Sequence, residues 1–137
     1  MKSLLLILSV FVIGAVNTSF ISEPNEKDLK ITVKYSFKGI VDGYDHPTKT
    51  ELYIDDELKG TSTVSKESQP NSVTATATKG KHRIRIVNYA QYEGNWEEHT
   101  IANNYSIDCL YEAEVSVKKN LTIKLLFDLD SGTKKVK

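Results

Sequence analysis

Glu51-Leu52-Tyr53-Ile54-Asp55-Asp56-Glu57-Leu58-Lys59-Gly60-Thr61 and, after a polar interval, Thr78-Lys79-Gly80-Lys81-His82-Arg83-Ile84-Arg85-Ile86-Val87 are the two runs that decide the fold. Each alternates apolar and polar residues, and a period of two puts every second side chain on one face of a half-buried strand. In the first run Leu52 and Ile54 point inward, Asp55 to Gly60 reverses the chain, and Thr61 to Val64 returns. In the second, Lys79-Gly80-Lys81 turns the chain into a strand with His82, Ile84 and Ile86 on one face. Arg83 and Arg85 occupy the other face.

The same period extends outward in both directions. Leu29 to Phe37 alternates without a fault, with Leu, Ile, Val, Tyr and Phe against Lys, Thr, Lys and Ser. Such β-branched and aromatic alternation is a strand. Lys38 to Lys49 is a loop marked by Asp42-Gly43 and His46-Pro47, and Ser65 to Ser72 is a solvated connection holding Pro70. Val73 to Thr78 is a weaker strand suited to a sheet edge. Tyr89 to Thr100 reads as irregular. Asn104 to Val117 reads as one long or bent strand through Ile107, Cys109, Tyr111, Ala113, Val115 and Val117. Leu121, Ile123, Leu125, Phe127 and Leu129 line the inner face of a closing strand, apolar enough to be central. Beyond the N-terminal segment no apolar residues recur at helical spacing. The expectation is an all-β protein: an antiparallel two-sheet sandwich of about seven or eight strands, or a barrel.

At 137 residues the chain suits one domain. Residues 1–20 read as a signal peptide, with Lys2 ahead of a weakly polar to apolar run from Leu4 to Val16. That run is short of the roughly 20 residues that span a membrane. Residues 21–28 read as a flexible leader, 29–130 as the sandwich, and 131–137 as a disordered basic tail. The expected location is secreted, periplasmic or extracellular, with no stable membrane span once the signal is removed. Lys plus Arg and Asp plus Glu both total 18, so no long-range field of one sign attracts nucleic acid. Only a local patch is left open. Cys109 is the single cysteine and has no intrachain partner for a disulfide. It falls in phase with Ile107 and Tyr111, as a core residue would.

Leu52-Tyr53-Ile54-Asp55-Asp56-Glu57-Leu58-Lys59-Gly60-Thr61, followed by Lys79-Gly80-Lys81-His82-Arg83-Ile84-Arg85-Ile86, resembles the PEGA-like repeat of bacterial envelope proteins. In that family a strand ends in a V-x-I-D-G-x-x-x-G-T turn, and a second opens with P-G-x-H-x-I/V-x-V. Asn88-Tyr89 stands where the family has G-Y, Asp56 replaces the turn glycine, and the proline of the name motif is absent. The resemblance implies an immunoglobulin-like or transthyretin-like β domain used for attachment or protein contact, with no catalytic residues to transfer.

Chemistry-bearing residues are sparse. His46, His82 and His99 lack zinc-ligand spacing. Asp128 and Asp130 fall short of the six to eight oxygens calcium takes, and no nucleophile elbow is present. No cofactor, metal or catalytic residue is expected. The candidate ligand site is instead aromatic: Tyr89, Tyr92, Trp96 and Tyr105, with Asn95 and Glu97 as polar neighbours. The functional expectation is a non-catalytic binding or structural module contacting a protein. The alternative is a carbohydrate-binding protein using the Trp96 loop, and a small hydrolase or enzyme inhibitor comes third.

Overall fold

A computed structural model describes residues 27–137; the expected signal peptide and most of the expected leader lie outside the described residues. Alternation becomes strand wherever one face can be dried. β1 (Leu29–Lys38) buries Ile31, Val33 and Tyr35, and β5 (Asn71–Ala77) buries Val73, Ala75 and Ala77. β9 (Leu121–Asp128) buries Ile123, Leu125 and Phe127. With β10 (Thr133–Val136) these form a four-stranded sheet in the order β10-β9-β1-β5.

The second sheet is built on β6 (Gly80–Tyr92), which pairs with β2 (Pro47–Ile54) along one side. On its other side β8 (Leu110–Val117) pairs with the first half of β6 and β7 (Asn95–Glu98) with the second half. β3 (Glu57–Thr61) and the two-residue β4 (Ser65–Lys66) flank β2. The dry faces of the two sheets meet in one core that includes Leu52, Ile54, Ile84, Ile86, Val117 and Cys109. The chain is therefore all-β in two packed sheets. β5 lies at a sheet edge and β9 between β10 and β1, as their composition implies.

Several local expectations need correction. The sheets are not wholly antiparallel: β1 and β9 run parallel and in register, Val33 opposite Ile123 and Phe37 opposite Phe127. Strands remote in sequence need no hairpin between them, so the first and closing strands are free to align in the same direction. The first reversal occupies only Asp55 and Asp56, both at positive φ, as a two-residue hairpin loop requires. Tyr89 to Thr100 is no irregular loop, because β6 continues to Tyr92 and returns as β7 through Glu93-Gly94, again both at positive φ.

Asn104 to Val117 is a strand only from Leu110. Upstream, a 3-10 turn (Ile101–Asn103) ends on left-handed Asn104. The Ile101 N–H donates to Asp108 Oδ1 and Asn103 Nδ2 donates to the Glu98 carbonyl, which takes this segment out of any ladder. Ile107 and Cys109 are nonetheless buried, and burial pushes the Cys109 thiol pKa up, consistent with a packing role. The tail is not disordered at 133–136, where β10 pairs antiparallel with β9. No helix among the described residues is long and apolar enough to cross a membrane.

His82 ties the first hairpin to β6. Its Nδ1 lies 2.6 Å from Asp55 Oδ2 and its Nε2 2.8 Å from the Thr78 carbonyl, while the Arg83 N–H donates to Asp55 Oδ1. Two acceptors around one ring favour the imidazolium, so the Asp55 hydrogen bond raises the His82 pKa above its usual 6.5. The same contact lowers Asp55 below its usual 3.8. His82 therefore stabilises the fold fully below 6.5, and this contribution fades as pH rises through the raised value. Asp55 contributes above 3.8, and its contribution is lost as pH falls through the depressed value. Thermal melts at several pH values are expected to show a stability maximum between these limits, with the alkaline slope absent in His82→Gln. An unchanged slope in that variant would contradict the assignment.

Candidate functional site

One end of the sandwich is polar inside. At this end the inward positions of β2 are Thr48 and Thr50, and that of β6 is Asn88, all fully buried. Asn88 Nδ2 donates to Thr48 Oγ1 (2.7 Å) and Thr50 Oγ1 (2.9 Å). The Thr50 N–H donates to Ser62 Oγ, which shares a hydrogen bond with Tyr35 OH. The Asn88 amide nitrogen is thus satisfied where apolar packing gives out, while its buried Oδ1 finds no partner among the described residues.

Above this layer the β1–β2 loop, the segment after β4 and the turn after β7 enclose a cleft. Its volume is about 310 Å³, and its walls include Tyr44, His46, Glu67, His99, Tyr105 and Asp130. A second hollow of about 420 Å³ shares Tyr44, His46, Asn104 and Tyr105 with it and adds Tyr92 and Glu97. The His46 ring meets Tyr44, Tyr92 and Tyr105 edge-on at 6.1 to 6.3 Å between centroids. Aromatic rings met edge to face are held in place by their quadrupoles as well as by burial. The Glu67 N–H donates to the His46 carbonyl, which fixes the two loops against each other.

Behind the rings lies a buried acid–base pair. His99 Nδ1 is 3.1 Å from Glu67 Oε1, and both side chains are almost wholly enclosed. The contact is close, yet its angles are poor and neither atom completes a hydrogen bond among the described residues. The His99 ring is flanked by Phe37, stacked at 5.7 Å, and Tyr105 at 4.3 Å. Burial first, and then the neighbouring Glu97 charge, push the Tyr105 pKa up to about 12. Tyr105 is a neutral phenol at physiological pH, its hydroxyl 3.4 Å from Glu97 Oε2.

The six residues expected to share one site are divided between the two faces of a sheet. Tyr92, Asn95 and Glu97 fall on the inward phase of the β6–β7 hairpin; Tyr92 and Glu97 line the second hollow, and Tyr105 lines both it and the cleft. Tyr89 and Trp96 fall on the outer phase. There Lys49 Nζ lies 5.4 Å from the Tyr89 centroid and 5.1 Å from that of Trp96. Trp96 neither joins the cleft nor caps an end of the sandwich; it lies half-buried on the outer sheet face under a lysine. Asp128 Oδ1 accepts the N–H groups of Asp130 and Ser131, and Asp128 also contacts Lys38, so it serves a turn.

Sequence reading missed Val41, Tyr44, His46, Glu67 and His99, which reach this end from separate loops. The one available signal was polar residues on the inward phase of β2 and β6, Thr48, Thr50 and Asn88, which marks this end as unlike the rest. No protein-family model matches the chain, and no curated protein matches it.

Proposed function

We propose that the protein is a secreted, non-catalytic binding module of the cell envelope or extracellular space, a PEGA-like sandwich of immunoglobulin-like or transthyretin-like type that grips a protein partner at the cleft. One observation carries this reading: four of the seven exposed large apolar side chains among the described residues gather around that opening, the other three being Leu58, Val64 and Val136. Val41, Tyr44, Tyr92 and Ile101 are each half or more exposed. Val41 and Tyr44 line the cleft, Tyr92 lines the adjoining hollow, and Ile101 opens the turn whose next residues line that hollow. Exposed apolar groups gathered beside polar walls are the composition of a contact surface, with tyrosines as its anchors.

The carbohydrate alternative through Trp96 ranks second, because Lys49 already covers the faces of Trp96 and Tyr89 that a sugar would stack on. The hydrolase reading draws its support from the Glu67–His99 pair, although Phe37 and Tyr105 hold that imidazole between their rings. The test is capture of partners from the source organism's envelope and medium by immobilised mature protein. Tyr44→Ser/Tyr92→Ser is expected to retain its melting temperature and to lose at least about tenfold in capture, as loss of two anchors implies. Equal capture by variant and wild type would overturn the reading.

A further inference from the structure

The outer face of the four-stranded sheet carries a groove of about 630 Å³ that the cleft does not involve. Register places three lysines in one row across it. Lys34 of β1 is opposite Lys124 of β9, and Lys124 exchanges backbone hydrogen bonds with Lys137 beyond β10. Lys135 stands in the next row opposite Leu126. All four side chains are exposed. Like charges on cross-strand neighbours repel and weaken a sheet.

The other sheet shows how this chain ordinarily treats its surface cations. There Lys49 pairs with Glu51, Lys59 with Glu57, Lys81 with Glu114, Arg83 with Glu112 and Arg85 with Glu98. None of the four groove lysines has an acidic partner among the described residues, and Lys38, on the same face, has Asp128. Charge is thus unevenly distributed among the described residues: on the strands of one sheet every Lys and Arg but Lys66 has an acidic partner, and along a concave strip on the other, four lysines have none.

From this charge pattern and shape we infer that the groove binds a linear anionic polysaccharide. Lysines present point charges without the planar fork that grips a single phosphate, and a row of them suits anions repeated along a chain. The groove exposes no aromatic platform for nucleic-acid bases, since Tyr35 in its floor is buried. Ser36 and Ser72 on its walls offer hydroxyl groups to sugar hydroxyls. A concave strip without an inserted apolar wedge suits a strand of polymer better than a bilayer surface.

The test uses the mature protein with polyuronate and dextran sulfate as probes, neutral dextran as control, and poly-dT and anionic lipid vesicles as competing classes. The wild type is expected to bind a charged glycan, more weakly as salt rises, and to ignore neutral dextran. Lys34→Gln/Lys124→Gln/Lys137→Gln is expected to lose at least about tenfold in affinity, while melting no lower because the repulsion is relieved. Lys59→Gln/Lys79→Gln/Lys81→Gln, with the same change in net charge, is expected to bind as wild type. Absence of glycan binding, equal loss in both triple variants, or equal or tighter binding of poly-dT or vesicles would overturn the inference.

Discussion

Ile123→Asp is expected to leave no cooperatively folded protein. Ile123 is buried in β9 beside Val33 of β1, at the one parallel seam among the described residues, where β1 meets the closing strands. A carboxylate there has no partner and must either ionise in an apolar interior or fold protonated. Either route costs about 4 kcal/mol or more, against a total stability of roughly 5–15 kcal/mol for a domain. Thr122→Asp, one residue earlier on the exposed face of the same strand, is expected to melt within a few degrees of wild type. Circular dichroism melts of the two variants check this directly. A folded Ile123→Asp would place β9 outside the core.

Gly60→Val is the second large effect, and it tests how the two sheets meet at their edges. Gly60 lies in β3 beside a register shift in the β2–β3 ladder. A Cβ on it would stand 2.7 Å from the Thr74 carbonyl of β5 and 3.1 Å from Val73 Cγ2. The nearer obstacle is backbone, which cannot swing away as a side chain would, so one sheet edge must retreat from the other. Overpacking of this kind costs typically 1–3 kcal/mol, and the branched valine is expected near 3. Chemical denaturation measures it; a loss under about 0.5 kcal/mol would mean that β3 and β5 do not touch in solution.

What was legible in the sequence follows burial. Where a strand has one dry face, as in Leu29 to Phe37 or Leu121 to Leu129, alternation is enforced by the core and reads directly. Where the interior turns polar the same pleat persists but the hydropathy contrast disappears. β6 runs on through Asn88 and Ala90, and because asparagine and alanine occupy its inward phase, the strand looked finished at Val87. The hairpin after it had a local signal in Glu93-Gly94, whose positive φ angles suit a two-residue turn.

The site was half legible for a related reason. Tyr92, Glu97 and Tyr105 lie close in sequence and were found together, whereas Tyr44, Glu67 and His99 meet only because the loops converge at one end. Trp96 was misplaced because adjacency in sequence says nothing about the face of a strand until the strand itself is known. The parallel β1–β9 register was equally invisible, since a pairing between the two ends of the domain leaves no local pattern.

The account depends most on the cleft being the contact face. The direct measurement is photo-crosslinking of the protein in its own environment, with benzoylphenylalanine at Tyr92 on the cleft rim or at exposed Leu58 in the β3 hairpin strand. The account predicts a discrete adduct from the Tyr92 position and none from Leu58. Adducts from Leu58 alone, or from neither position, would contradict it.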